Sequence, residues 1–183
     1  MPPPTMPTLD ALTWPSSRAR DDGRVNPSAQ IDIDAPLAVV WDVMTDTERY
    51  GEWNPFVERA DTALPPAVGN PIVLHVVWAD GRRTRSPERI TALDGPTTDA
   101  SGTTTALMSY VYEGLPARLG LVRGVRHQRL TQRPGGPTTY DTVEEFRGPL
   151  VRLAGPGRVA DGFRRHAEGL KREAERRASS PAG

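Results

Sequence analysis

The chain of 183 residues has no cysteine, which excludes disulfides, thiol nucleophiles and thiolate metal sites and fits an intracellular protein. Net charge is also absent. Lys plus Arg equals Asp plus Glu, 23 each, so there is no global pull toward nucleic acid or anionic lipid. No apolar run approaches the ~18 residues that span a bilayer, and the start MPPPTMPTLD lacks the basic and apolar regions of a signal peptide. A cytoplasmic protein without membrane insertion or nucleic-acid partner is the expectation. Histidine is scarce: His75, His127 and His166 stand apart, with no HxH or HExxH spacing, so neither a metal site nor a cofactor is expected. GxSxG and GK[ST] are missing too, which leaves acyl-transfer and P-loop chemistry without a motif. Lysine occurs once, at Lys171, and the arginines between Arg118 and Arg133 form the densest basic patch. Without interleaved aromatics that patch reads as a solvated surface.

What is present is a sequence of recognisable elements. Residues 1–24 carry five of the nineteen prolines and no periodicity, and are expected to form a flexible arm, with Leu9, Leu12 and Trp14 as docking points. Residues 25–178 suffice for one domain with its own core, and residues 179–183 read as a frayed tail. In AQIDIDAP the residues Ala29, Ile31 and Ile33 alternate with polar partners, as in a half-buried strand. Pro36 then opens a helix with Leu37, Val40, Trp41 and Met44 on one face. Thr45 and Glu48 have capping-box spacing for a second short helix, which must end near Asn54 because Pro55 disfavours helical backbone before it. Next come PIVLHVVW, an Asp-Gly turn, and RRTRSPERITAL as a hairpin. A loop over 94–104, the strand TALMSYVYEG, and the hairpin VRHQRLTQR and TTYDTVEEF around PGGP follow. Leu150, Leu153, Val159, Phe163, Ala167, Leu170 and Ala174 place one apolar stripe on a long final helix, broken or kinked at Gly155-Pro156-Gly157.

This order defines an α+β fold in which a curved antiparallel sheet wraps the long C-terminal helix and two short helices follow the first strand. The gap between sheet and helix is a natural cavity for a small molecule. The segments IDIDAPLAVVWDVMTDTERYGEWNP, ERITALD, GGPTTYDTVEEFRGPL and LKREAE resemble the SRPBCC superfamily, which includes START-type lipid-transfer domains, birch-pollen-allergen-like proteins and bacterial polyketide cyclases and dehydratases. The resemblance spans roughly residues 28 to 177 and implies a helix-grip fold with a hydrophobic pocket under the C-terminal helix. It does not imply one activity, because the fold hosts carriers, receptors, cyclases and chaperone-activating domains.

A cyclase or dehydratase of this kind would need polar groups aimed into the pocket to move protons. Tyr110 and Tyr112 share a face with Ala106 and Met108, so both tyrosines can face inward, either as donors or as core filling. The two parities of IVLHVVW are equally apolar, which leaves the direction of His75 open. His127 and Arg129 share one parity of their strand and Arg126 and Gln128 the other, and neither is convincingly core. One of Glu144 and Glu145 must face the pocket, where burial would raise its pKa; an ion pair across the sheet is the alternative. Tyr110, Glu145 and His75 are the catalytic candidates. Trp41, Trp53, Asn54, Trp78, Tyr112, His127, Arg129, Phe163 and His166 are the candidate ligand contacts, with Trp53 and Asn54 in YGEWNPFV as a lid at one end. The expected partner is a hydrophobic, cyclic or polyketide-like small molecule, bound by a monomer or homodimer. A non-catalytic carrier or sensor is the main alternative, and a protein-interaction module the weaker one.

Overall fold

A computed structural model describes residues 26–151 and 155–180. The expected arm, with Leu9, Leu12 and Trp14, lies outside these residues, as do Leu153 and the last three positions. Strand β1 (Ser28–Ile33) leads into α1 (Leu37–Thr45), a 3-10 turn (Thr47–Arg49) and α2 (Tyr50–Trp53). Six further strands follow: β2 (Val57–Thr62), β3 (Pro71–Val77), β4 (Arg83–Thr98), β5 (Thr104–Tyr112), β6 (Arg123–Gln132) and β7 (Thr138–Arg147). The short α3 (Leu115–Arg118) separates β5 from β6, and α4 (Pro156–Ser179) ends the fold. The sheet is antiparallel in the order β1-β7-β6-β5-β4-β3-β2, and it curls around α4 as a half-barrel. This is the helix-grip arrangement.

Sequence dictates the entry into the core. Ile31 and Ile33 face Tyr140 and Thr138 across the β1/β7 ladder, and Ile33 is fully buried. Pro36 stops the strand and stands one residue before α1. With no side-chain cap there, the Leu37 amide donates to Gln132 Oε1 at 3.0 Å. Leu37, Val40, Val43 and Met44 are the buried face, while Trp41 is half-buried at its edge. The capping box expected at Thr45 does not form: Thr45 Oγ1 turns back to the Trp41 carbonyl at 2.9 Å. A hydroxyl in the last helical turn can reach the carbonyl four residues earlier, and here that bond wins.

Two other elements differ from expectation. The Gly-Pro-Gly stretch is a helix start and not a kink, because Gly155 adopts left-handed backbone (φ 65°) and Pro156 occupies the first turn, where its missing N–H costs nothing. Strand β4 runs to Thr98, five residues into the expected loop, with register irregularities at Ile90/Ala92 and Asp94/Thr97. Such bulges bend a strand and raise its twist, which helps the sheet to curl.

The segment 50–57 is pressed onto α4. A Cβ on Gly162 would come within 2.2 Å of the Phe56 ring, and one on Gly169 within 2.6 Å of the Trp53 carbonyl oxygen. These two helix glycines form the groove that lets Trp53, Asn54 and Phe56 approach, with His166 between them.

Candidate functional site

A cavity of about 510 Å³ lies between the sheet and the N-terminal half of α4. Phe56, Leu74, Val76, Trp78, Phe146, Val159 and Phe163 supply apolar wall, and Pro116, Leu121 and Leu150 stand at its α3 end. The polar lining comes from four strands: Thr84, Arg85, Ser86 and Glu88 from β4, Tyr112 from β5, Arg126 from β6 and Glu144 from β7. Cross-strand register explains the grouping. Glu88 is opposite Tyr112, Tyr110 is opposite Arg126, and Arg126 is opposite Glu144, all on the inner face.

Arg126 is buried, with its guanidinium 4.1 Å above the centre of the Phe163 ring. Such stacking favours a desolvated cation. Its Nε donates to Thr142 Oγ1 at 3.1 Å and its Nη2 to Tyr140 Oη at 3.3 Å, while Tyr140 Oη donates to Gln128 Oε1 at 2.8 Å. These bonds hold the cation without using up a carboxylate. Glu88 accepts a 2.9 Å bond from Ser86 Oγ. Glu144 lies over Gly124, where a Cβ would be 2.4 Å from its Oε1. A side chain there would push that carboxyl out of its present position.

Burial pushes the Glu88 carboxyl up to about 7, against the opposing influence of the Ser86 hydroxyl and Arg126. Burial pushes Glu144 up to about 8, with the charge of Glu88 adding to it and Arg126 opposing. The two carboxyls therefore titrate as a pair near neutral pH, so protonated and ionised forms coexist there. That is the range in which a carboxyl can work as acid or base.

Of the residues expected at the site, Trp78, Tyr112 and Phe163 line this cavity. Tyr110 faces inward but is packed in the core behind the lining, its hydroxyl 3.1 Å from Met108 Sδ and its pKa raised well above the ordinary value by burial. Trp41 lies at the edge of α1, away from the cavity. The catalytic placements of His75 and Glu145 require correction, since both belong to the outer face. His75 Nε2 is 2.8 Å from Asp61 Oδ2, and Glu145 is 3.2 Å from Arg147 Nη2. His127 and Arg129 are on that face too, with His127 Nδ1 2.9 Å from Ser109 Oγ. One register fixes all of these: β6 and β7 turn Arg126 and Glu144 inward, so His127 and Glu145 must point out.

Trp53, Asn54 and His166 form a buried cluster beside the cavity instead of a ligand-facing lid. Asn54 Oδ1 accepts from the amides of Phe56 and Val57, each at 3.0 Å, which assigns Nδ2 as the donor to His166 Nδ1 at 2.8 Å. The His166 ring is then neutral with its proton on Nε2. Burial, with Arg126 nearby, holds it well below the ordinary histidine range. The ring stacks on Tyr140 (centroids 5.8 Å apart) and meets Trp53 edge-on at 5.4 Å.

Glu88 and Arg126 were not candidates on sequence. A signal for each existed: Ile90 and Leu130, two and four residues away at the same parity, are fully buried and mark the inner face. Among the described residues no cluster of His, Cys, Asp or Glu could hold a metal ion, and no helix is long and apolar enough to cross a membrane.

A half-barrel sheet gripping a long helix around an internal, mostly apolar cavity defines the helix-grip class. The profile of the family described as polyketide cyclase / dehydrase and lipid transport matches residues 24–175, and the chain belongs to that family. Solved structures share the fold at low identity. The Zhui aromatase/cyclase from Streptomyces sp. R1128 is 18% identical with a TM-score of 0.63, over 86% of this chain and 98% of that one. A hypothetical protein, jhp0584, from Helicobacter pylori is 11% identical with a TM-score of 0.64, over 93% and 99%. The di-domain ARO/CYC BexL, of the BE-7585A biosynthetic pathway, is 13% identical with a TM-score of 0.58, over 86% of this chain. The chain spans 50% of BexL's length. No curated protein sequence matches the chain.

Proposed function

We propose that the cavity binds a hydrophobic, oxygen-bearing ring or polyketide-like molecule and that the protein acts on it as a cyclase or dehydratase, by substrate folding and general acid-base catalysis. The observation that carries this reading is the pair Glu88 and Glu144, two carboxyls raised to about 7 and about 8 in one cavity with Arg126. In its ionised form one glutamate takes a proton from the carbon next to a substrate carbonyl. Arg126 and the Tyr112 hydroxyl receive the negative charge that develops on the carbonyl oxygen. The other glutamate, still protonated, gives its proton to the acceptor oxygen of ring closure or to a departing hydroxyl. The apolar wall holds the chain in the reactive shape, which by itself is worth several kcal/mol. Tyr110, His75 and Glu145 are given no part, because none of them opens on the cavity.

The test is native mass spectrometry of the protein from its own host to find the bound molecule, followed by turnover of that molecule or its precursor by Glu88→Gln and Glu144→Gln variants. Turnover should fall about 10²- to 10⁴-fold in each while binding persists. A carrier is the second reading, favoured by the largely apolar wall. It predicts a ligand recovered chemically unchanged and bound as well by both variants. A cavity of this size counts against a pure protein-interaction module.

A further inference from the structure

The outer face carries a second feature with no part in the cavity chemistry. Beside α3 the sheet and the Glu113–Arg118 segment enclose an open groove of about 670 Å³. Its floor is apolar: Val111 and Val125 are opposite each other across β5 and β6, with Arg89 and Glu145 at the two ends of that row. In the next row Arg123 stands directly opposite Arg147, and Arg118 adds a third guanidinium from α3. Like charges directly opposite in a ladder are destabilising, and this pair lies on backbone that cannot splay. The strand end is held there by the Leu150 amide on the Leu121 carbonyl at 3.1 Å, and Gly148 is so close that a Cβ would be 2.5 Å from that oxygen.

Local carboxylates do not balance the charge. Four arginines face two glutamates in the groove. Glu113 is engaged by Arg89 in a two-point pair at 2.7 and 2.9 Å, and Glu145 by Arg147. Arg118 spends its Nε on the Glu113 carbonyl at 3.3 Å, and Arg123 has no ion-pair partner among the described residues. A guanidinium pair at one end of an apolar floor matches an oxyanion attached to an apolar body, since guanidinium forks bind carboxylate and phosphate oxygens in pairs.

We propose that this groove is a second ligand site, distinct from the cavity, for a small molecule with a phosphate or carboxylate group on an apolar ring or chain. Arg118, Arg123 and Arg147 bind the oxyanion, and the apolar part covers Val111 and Val125. The β5-β6-β7 sheet lies between the two sites, and Tyr112 at the end of β5 is the residue that borders both.

The experiment is a titration of the full chain followed by backbone amide NMR, with phenyl phosphate, benzoate, inorganic phosphate and phenol as separate probes. Saturable shifts are expected at Val111, Ala117, Arg123 and Val125 with phenyl phosphate or benzoate. The tighter of the two assigns the natural oxyanion, inorganic phosphate should bind more weakly, and phenol should leave these amides unmoved. The Arg123→Glu variant gives a second, opposite readout. It should bind at least about tenfold more weakly, yet melt at a higher temperature because a carboxylate would then face Arg147 in place of a like charge. Arg123→Gln guards against any misfolding of that variant and should also weaken binding. Shifts that do not saturate, equal shifts with phenol, or unchanged affinity in both variants would overturn the proposal.

Discussion

At the scale of single residues, Asn54 shows how much can depend on one amide. Its oxygen holds two buried backbone donors and its nitrogen donates to His166, so three bonds serve the junction of α2, β2 and α4. The Asn54→Ala change leaves three polar groups unsatisfied in the interior. At about 1–3 kcal/mol each, the loss should be about 3 kcal/mol or more, read as a shift in the urea midpoint without a change of slope. His166 adds a pH signature. Its folded pKa is depressed, so below about 6.5 the unfolded chain takes up a proton that the folded protein refuses, and stability falls as the solution is acidified. In the Glu88→Gln/Glu144→Gln background, where the opposing titration of the two cavity carboxyls is removed, denaturant titrations from pH 7 to pH 5 should show that decline, and it should be reduced when His166→Gln is added.

Among the elements, α4 makes the clearest test of packing against propensity. Glycine inside a helix costs about 1 kcal/mol relative to alanine, so its presence at 162 and 169 calls for a contact that alanine would break. At Gly169 the added methyl meets the Trp53 carbonyl and Pro55 ring at 2.6 and 2.8 Å, atoms of a segment fixed by Asn54. Gly169→Ala should therefore lower stability by about 1–3 kcal/mol despite the better propensity. Gly157, on the same helix with nothing within 4 Å of its Cβ position, should gain up to about 1 kcal/mol from the same change. Thermal melts of the two variants should move in opposite directions.

The elements also show where reading the sequence works. Period-2 alternation in β1, the Asp-Gly turn before β4 and the stripe on α4 are signals of one buried and one wet face, and each marks a real element. The strands that line the cavity blur that signal. Their inner faces mix Leu130 with Gln128 and Arg126, and Ile90 with Glu88 and Ser86, because a cavity wall accepts polar groups that a solid core rejects. Hence Glu88 and Arg126 were hidden and the choice between Glu144 and Glu145 stayed open, while His75, His127 and Glu145, chosen for their chemistry, fell on the outer face. Trp78, Tyr112 and Phe163 do line the cavity, Trp78 and Tyr112 at strand ends and Phe163 on the buried stripe of α4.

For the whole molecule, the cavity carboxyls tie stability to pH in a window of their own. A carboxyl whose folded pKa is raised keeps its proton in the folded protein after the unfolded chain has lost it. Its contribution is then fully present below the unfolded value of about 4.3 and is lost as pH rises through the folded one. For Glu88 and Glu144 that loss extends to pH 7 and 8. The titration of His166, joined by that of His127, whose pKa burial also lowers, works in the opposite sense and partly masks it until about a unit above the unfolded histidine value of about 6.5, so the clean interval is about pH 7.5 to 8.5. Across that interval the wild type should lose unfolding free energy steadily. The Glu88→Gln/Glu144→Gln double variant, which keeps shape and hydrogen-bonding capacity but cannot ionise, should be flat. Urea unfolding at half-unit pH steps reads both curves, and parallel slopes would mean that the two carboxyls are ionised in the folded protein. That result would also remove the proton donor on which the proposed chemistry depends, so one equilibrium measurement tests the site before any substrate is known.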